Sequence, residues 1–432
     1  MSSLVWRILR RSVFMGGVAV SAAVAAAADA LTLNDYFDAA LKRSEVVATQ
    51  VELIHQAEER YNQANSALRP TVNGVASYTW LEPTASGSSS TASNPNRQPL
   101  AKIMATQPLF RGFREFAGLR QSQAQREAQT LDYRQAQVQL FKDVAQNFFN
   151  ILSIERDLQN LDEEVRQNLE REKELNGRVR IGRSRVGEVL TVQSTIGTLR
   201  AQAEQLRAQL AVAREAFAFL SGLDAATTLR DTETPPAKLD PLDEYLTRLD
   251  RRADVSASQQ RLTAAKENVE VARGARMPSL DLNANRYLER TGSLKDVDWD
   301  VQVALTVPLY TGGQLQSKIR EALSQQTQAE LSVSQVRRQA EQEVRSAYQN
   351  VLFDQTQLDA LEKATDGARK NYEAQQRDYR LGLVTNLDVL QALTTYLENL
   401  RALDRARYSA KLNYQRLLAA VSLRPNIEGP TL

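Results

Sequence analysis

Few residues in this chain could do chemistry, and their surroundings exclude most of it. His55 is the only histidine among 432 residues and sits mid-helix among Gln and Glu. No Ser/His/Asp or Cys/His nucleophile can be built around it, and no histidine cluster can hold a metal. The chain has no cysteine, which removes disulfides, thiolate metal sites, a thiol nucleophile and lipid attachment at an N-terminal Cys. DVDWD, residues 296–300, imitates the start of a calcium loop, but the sixth and twelfth positions are Val301 and Val307 instead of Gly and Glu. Neither GxGxxG nor a phosphate-loop sequence occurs. The chain therefore reads as a non-enzyme with no cofactor and no metal.

What remains is a pair of carboxylates, each just past an interruption in otherwise helical sequence. VRIGRSRVGEVL (179–190) and YRLGLVTNLDVL (379–390) share one design. Gly182 and Gly382 accept the left-handed conformation that ends a helix. A few residues reverse the chain, and Glu188 or Asp388 then falls in the first turn of the next helix, where a carboxylate offsets the positive helix end. Each stretch is a hairpin tip.

The elements that carry these tips repeat at an offset of 200 residues. QPLFRGF at 107 answers VPLYTGG at 307, and Phe148, Asn150, Leu152, Leu158 and Leu161 answer Tyr348, Asn350, Leu352, Leu358 and Leu361. Pro108/Gly112 and Pro308/Gly312 mark where strand gives way to helix. The first repeat, 31–223, comprises a helix, a β-hairpin at 71–110, a long helix at 112–181, a tip turn and a helix at 187–221. A linker at 224–241 leads to the second repeat, 242–432: a helix, a hairpin at 279–310, a long helix at 313–381, a tip turn and a helix at 387–422. Ile151, Ile154, Leu158, Leu161 and Val165 form a heptad-like stripe, as do Val351, Leu358, Thr365, Tyr372 and Tyr379. Stripes this narrow suit the wall of a tube or bundle. A 70-residue helix is a rod of about 100 Å. The helices expected at Leu31–Leu68 and Leu242–Arg276 have half that length, so two half-length helices stacked end to end would line one rod in each repeat.

Four segments alternate with period two. Trp299, Val301, Val303, Leu305 and Val307 fall on one face of WDVQVALTVPL, with Asp300, Gln302, Ala304 and Thr306 on the other; LDLNANRYL behaves alike, and the first repeat more weakly. Each segment has the length of a tilted membrane-spanning strand. Four strands cannot close a barrel, and an open sheet edge cannot face lipid, so spanning requires oligomerisation; a trimer would supply about twelve strands. A small sheet packed on helices, in an exported soluble periplasmic coiled-coil scaffold or adaptor, is the alternative.

Arg7, Arg10 and Arg11 precede an Ala-rich apolar run ending in A-x-A sites at Ala26, Ala28 and Ala30, which predicts a cleavable signal peptide over residues 1–30. A net charge of +2 with interleaved acids and bases gives no field for nucleic acid. Runs such as RDLQNLDEEVRQNLEREKEL read as a solvated helical surface.

The duplicated plan, the QPLFRG and VPLYTGG junctions and YRLGLVTNLDVLQAL resemble the TolC-like outer membrane efflux proteins over essentially the whole mature chain. The resemblance implies a mainly α fold with a membrane β-barrel. Long antiparallel coiled-coil hairpins would form an α-helical tunnel, and four strands per chain would join a 12-stranded trimeric barrel. It implies a homotrimer in outer membrane lipid, extending into the periplasm of a Gram-negative bacterium. The trimer would be an exit duct for efflux or type I secretion. It would serve a periplasmic adaptor (membrane fusion) protein and an inner-membrane ABC or proton-driven transporter. The tip turns, at Gly182, Gly187, Gly382, Leu383 and Thr385, would contact the adaptor. Asp388 would line the narrowest part of the tunnel as a negative ring, with Gln391 where some relatives carry a second acid. Tyr379 and Glu188 match positions that link neighbouring coils in the closed state. Val384 replaces a basic residue there, for which Arg183 and Arg185 would substitute.

Overall fold

The structure, a computed structural model, describes residues 30–82, 97–292 and 294–425. Apart from Ala30 the expected signal peptide lies outside the described residues, as does most of the Ser-rich loop of the first hairpin. The elements in chain order are α1 (Leu33–Arg43), α2 (Glu45–Ser66), β1 (Thr71–Trp80), β2 (Arg97–Phe110), α3 (Arg114–Arg180), α4 (Val186–Ser221), α5 (Leu242–Leu246), α6 (Ala253–Gly274), β3 (Ser279–Glu289), β4 (Trp299–Thr306), α7 (Gln314–Leu381) and α8 (Asn386–Ala420).

α3 and α7 run 67 and 68 residues without a proline, and each packs against two shorter helices set end to end. α3 is lined by α2 and α4 on one side and by α6 and α8 on the other; α7 is lined by α6 and α8. The protomer is thus four neighbouring columns, in the order α2/α4, α3, α6/α8, α7. Each end-to-end joint is closed by an arginine from the upper segment that donates to a carbonyl in the last turn of the lower helix. Arg43 Nε donates to the Phe219 carbonyl at 3.0 Å, and Arg252 Nη1 to the Ala420 carbonyl at 2.5 Å. A cation there also offsets the negative helix end.

The upper half-length helices are each interrupted, where the sequence suggested continuous ones. Leu31 forms a parallel bridge with Leu229 of the linker, and the helix starts only at Leu33, behind a capping box of Thr32 and Asp35. Ser44 (φ −63°, ψ 110°) then breaks it: its N–H closes α1 on the Ala40 carbonyl, and its hydroxyl caps α2 by accepting from Val47 N. In the second repeat a 3-10 turn at Leu249–Arg251 and an extended Arg252 separate α5 from α6.

The largest core lies at this equator, where Phe141, Phe148 and Phe149 of α3 meet Tyr36 and Phe37 of α1 and Phe217 of α4. Below it the seam between α3 and α8 is polar. Asp157, Asn160, Glu164 and Asn168 are all buried, although they belong to the run that reads as a solvated surface. Their spacing puts them on one helical face, and α8 answers them: Arg401 donates to Asp157 at 2.6 Å, Arg405 also donates to Asp157, and Asn160 donates to Asp404 at 2.9 Å. Charges supplied by a distant helix turned a wet-looking face into an interface. Other members of the run, such as the Glu163–Arg166 pair, do face solvent.

The strands form one antiparallel meander, β1-β2-β3-β4, with both outer edges unpaired among the described residues. Val72 faces Ala105, Ala284 pairs with Val301, and Leu282 with Val303, which fixes a common apolar face.

Candidate functional site

Two regions combine solvent exposure with specific geometry: the helix tips and the sheet. At the first tip Gly182 (φ +70°) follows α3; its N–H bonds the Val179 carbonyl at 3.0 Å and Arg183 N the Arg178 carbonyl at 2.8 Å. At the second, Gly382 (φ +76°) does the same through Gly382 N to Tyr379 O (3.1 Å) and Leu383 N to Asp378 O (2.9 Å). Both are Schellman closures, in which a left-handed glycine satisfies the last carbonyls.

The restarts differ. α8 begins with a capping box in which Thr385 N and Oγ1 donate to the Asp388 carboxylate (2.8 and 2.6 Å) and Asp388 N returns a bond to Thr385 Oγ1. These bonds, the side-chain one foremost, hold the Asp388 carboxyl below its ordinary pKa. α4 has no side-chain cap at Arg185, and Glu188 instead accepts from Ser184 Oγ at 2.6 Å. Gly187 lies in the first turn of α4 with open space around it.

The expected link residues are not brought together. Glu188 is occupied within its own turn, and Arg183 and Arg185 are exposed and form no ion pair among the described residues. Tyr379, 9% exposed, packs against α3, where the Arg171 and Arg178 guanidinium carbons lie 4.2 and 4.4 Å from its ring centroid. Arg171 and Arg178 were invisible in a helix full of interleaved charge; only the repeat comparison, which sets Val179 opposite Tyr379, offered a signal. Asp388 and Gln391, three residues apart, share an exposed face of α8. Exposed aliphatics surround both turns: Ile181, Val186 and Leu190 at the first, Leu381, Leu383 and Leu387 at the second.

The strand-to-helix junctions are also unequal. Pro108 and Gly112 lie at the first, where Gly112 (φ +68°) touches the end of α6 so closely that a Cβ there would stand 2.6 Å from Met277 Cβ. At the second, Pro308 leads to Gly312 and Gly313, both left-handed but in open space. Phe113, the repeat partner of Gly313, adopts the same left-handed conformation (φ +60°), at a cost of about 1–2 kcal/mol.

In the sheet the apolar face is bare: Val72, Ile103, Trp299, Val301, Val303 and Leu305 are all exposed. The opposite face is a connected polar ladder. Lys102 Nζ donates to Asn285 Oδ1 (3.0 Å), Asn285 Nδ2 to Asp300 Oδ1 (2.8 Å), Tyr287 OH to Asp300 Oδ2 (2.8 Å) and Thr106 Oγ1 to Asn283 Oδ1 (2.9 Å). A sheet with one oily and one hydrogen-bonded polar face fits a wall between lipid and water. Among the described residues no helix is long and apolar enough to cross a membrane, and no acidic or histidine cluster suits a metal.

Comparison with known proteins agrees with this geometry. Residues 37–223 and 247–422, the two repeats, match the model of the family described as outer membrane efflux protein. The chain is 24% identical over 389 residues to outer membrane protein TolC of Escherichia coli (strain K12), covering 84% of this chain and 77% of that protein. It is 22% identical over 379 residues to outer membrane efflux protein BepC of Brucella suis biovar 1, covering 84% and 79%. The crystal structure of the outer membrane protein VceC from Vibrio cholerae superposes with a TM-score of 0.80 at 20% identity, covering 90% of this chain and 95% of that one.

Proposed function

The chain belongs to the outer membrane efflux protein family, and from that premise we infer that three copies assemble into one exit duct whose tips meet a periplasmic adaptor. The chain is an outer membrane channel component of efflux or secretion. The observation that carries the trimeric reading is that the β-sheet and the helical wall are open at the same two ends of the chain order. Among the described residues β1 and β4 have unpaired outer edges, and the flanking columns α2/α4 and α7 each lack an outer neighbour. A lipid-exposed edge leaves backbone groups unsatisfied, so β4 of one copy pairs with β1 of the next, and α7 seats beside the next copy's α2/α4. One closure solves both problems, and twelve strands is within the range of such barrels.

The polar face then lines the lumen and the apolar face meets lipid. Asp388 and Gln391, with the tip turns, sit at the periplasmic aperture, where three Asp388 carboxylates form a ring that favours cations. The exposed aliphatics at both tips offer the adaptor a surface that would otherwise stay wet. An inner-membrane ABC or proton-driven transporter supplies the energy, because the duct itself has no catalytic constellation among the described residues.

The absence of cysteine makes the test clean. Single cysteines placed along β1, such as Asn73→Cys, are combined with single cysteines along β4, such as Gln302→Cys, and oxidised in outer membranes. The trimer gives a ladder of dimer and trimer at one register. Failure of every register to cross-link would overturn the shared barrel.

A further inference from the structure

We propose that the first strand-to-helix junction holds an acyl chain of a phospholipid from the periplasmic leaflet of the outer membrane, with Arg69 beside it to take the phosphate. The site rests on the duct reading, which puts the helix end of the sheet at that leaflet. A cavity of about 260 Å³ lies there. Ala67 and Leu68, just past α2, form one side, Leu109 and Phe110 at the end of β2 another, and Phe113 and Phe116 at the start of α3 the third. Gln107 ties these parts together, since its Nε2 donates to the Leu68 carbonyl at 3.1 Å.

Strand register gives the direction in which the cavity faces. Ala105 pairs with Ala284 and Ala284 with Val301, in the bare apolar face. Further along the same strands Phe110 pairs with Leu280 and Leu280 with Leu305, so Phe110 extends that face past the irregularity between Pro108 and Phe110. Phe113 stands edge-on to Phe110 with centroids 5.2 Å apart, and the Phe116 ring lies 6.4 Å from that of Phe113. Three rings thus carry the oily surface off the sheet and onto the helix. They do not end in a core, for Phe113 is 66% exposed and Phe116 51%. A neighbouring copy does not cover them either. β2 has a strand of its own chain on each side and α3 has helices on both flanks, so the cavity lies inboard of the edges at which copies meet. What remains to cover it is the lipid that covers the sheet.

The backbone carries a second, independent sign. Phe113 holds φ +60°, at the cost already given for a residue with a Cβ. Its repeat partner Gly313 takes φ +84° in open space. Glycine at 113 would relieve the strain, so the exposed phenylalanine there acts through its ring. Phe116 likewise has Gln316 as its repeat partner. One junction carries two rings where the other carries a glycine and a glutamine, and the rings are therefore no requirement of the common helical plan.

The charges nearby suit an anionic headgroup. Arg69 follows Leu68 directly, is exposed and forms no ion pair among the described residues. Glu115, the acid on the cavity wall, already faces Arg111 and Arg114 at 3.9 and 3.2 Å, so its charge is offset. A guanidinium can bind a phosphate through two parallel N–H bonds. An oily slot beside a free arginine is the pattern that a phospholipid matches, chain to rings and phosphate to cation.

Native mass spectrometry of the purified full-length protein in detergent, titrated with dioleoyl phosphatidylglycerol, tests the site. The wild type should retain one lipid per chain. Phe113→Gly/Phe116→Gln gives the first junction the residues of the second; its melting temperature should not fall, because glycine relaxes the backbone, and it should bind the lipid about tenfold more weakly. Arg69→Gln should weaken phosphatidylglycerol about fivefold and leave dioleoylglycerol, which has no phosphate, unchanged. If the double variant binds phosphatidylglycerol as the wild type does, the site is wrong. It is equally wrong if Leu68→Cys forms a disulfide in full yield with Leu309→Cys of the next copy, since that copy would then fill the slot. A trimer whose lipid binding ignores the junction overturns the lipid site alone, whereas a soluble monomer overturns the duct and takes the site with it.

Discussion

α3 and α7 are the same rod made twice, nearly equal in length and with corresponding heptad stripes, yet α3 buries 22 residues and α7 only seven. The difference is one of neighbours. α3 has helices on both flanks, whereas α7 meets α6 and α8 on one side and presents Leu331 and Phe353, 67% and 68% exposed, on its remaining surface. Gene duplication therefore supplied two equivalent walls, of which one became the spine of the protomer and the other its edge. In the trimer proposed above, Leu331 and Phe353 on this edge meet the next copy.

The largest effect should come from attacking the spine. Phe148→Ala empties a fully buried site in the equatorial core and should cost about 3–5 kcal/mol. Tyr348→Ala, at the equivalent half-buried place on α7, should cost roughly 1–2 kcal/mol. Thermal unfolding in detergent checks both, and equal losses would erase the distinction between spine and edge. Next, Phe353→Glu should leave helix content intact but weaken each contact between copies by about 2–3 kcal/mol, because a charge would be buried without a partner. Native electrophoresis should then show monomer in place of trimer.

Smaller effects test the polar seam. Burial raises the Glu164 pKa, with Glu398 and Asp157 adding to the rise and Arg401 opposing it. A carboxyl whose folded pKa is raised contributes stability that is complete below its unfolded pKa and is lost as pH rises through the folded one. At neutral pH the ionised group is therefore a liability. Glu164→Gln should raise stability by about 1 kcal/mol at pH 7 and flatten the loss that the wild type shows on leaving mildly acidic pH. The smallest change is at the aperture. Asp388→Asn keeps an acceptor for the cap but removes the charge, and should lower cation preference roughly twofold in reversal-potential measurements. Because the Thr385 bonds depress the Asp388 pKa, its charge persists through the ordinary aspartate range as pH falls, and wild-type selectivity should hold across mildly acidic pH and be lost only at more acid pH.

Much of this was legible because it is local. Gly182 and Gly382 announce the tips, alternation announces β3 and β4, and the repeat announces two rods of equal length. The breaks at Ser44 and Arg252 were not legible, since each is enforced by the linker and the end-to-end joint and not by a proline or glycine. The seam is misleading in sequence for a physical reason: Asp157 and Glu164 stand in a run of interleaved charge, and only the arrival of Arg401 and Arg405, some 240 residues later, makes their burial tolerable. The same holds for Arg171, whose partners Tyr379 and Asn386 sit on the other repeat. Sequence periodicity also cannot say which of two equivalent rods is interior, because both stripes are heptads and burial depends on what packs beside them.

The most direct test of the central claim is the native mass of the detergent-extracted protein from the outer-membrane fraction. A shared barrel predicts three times the mass of the mature chain, with no stable monomer. A monomer recovered in the soluble periplasmic fraction would contradict it, and β1–β4 would then be a small sheet on a soluble coiled-coil protein.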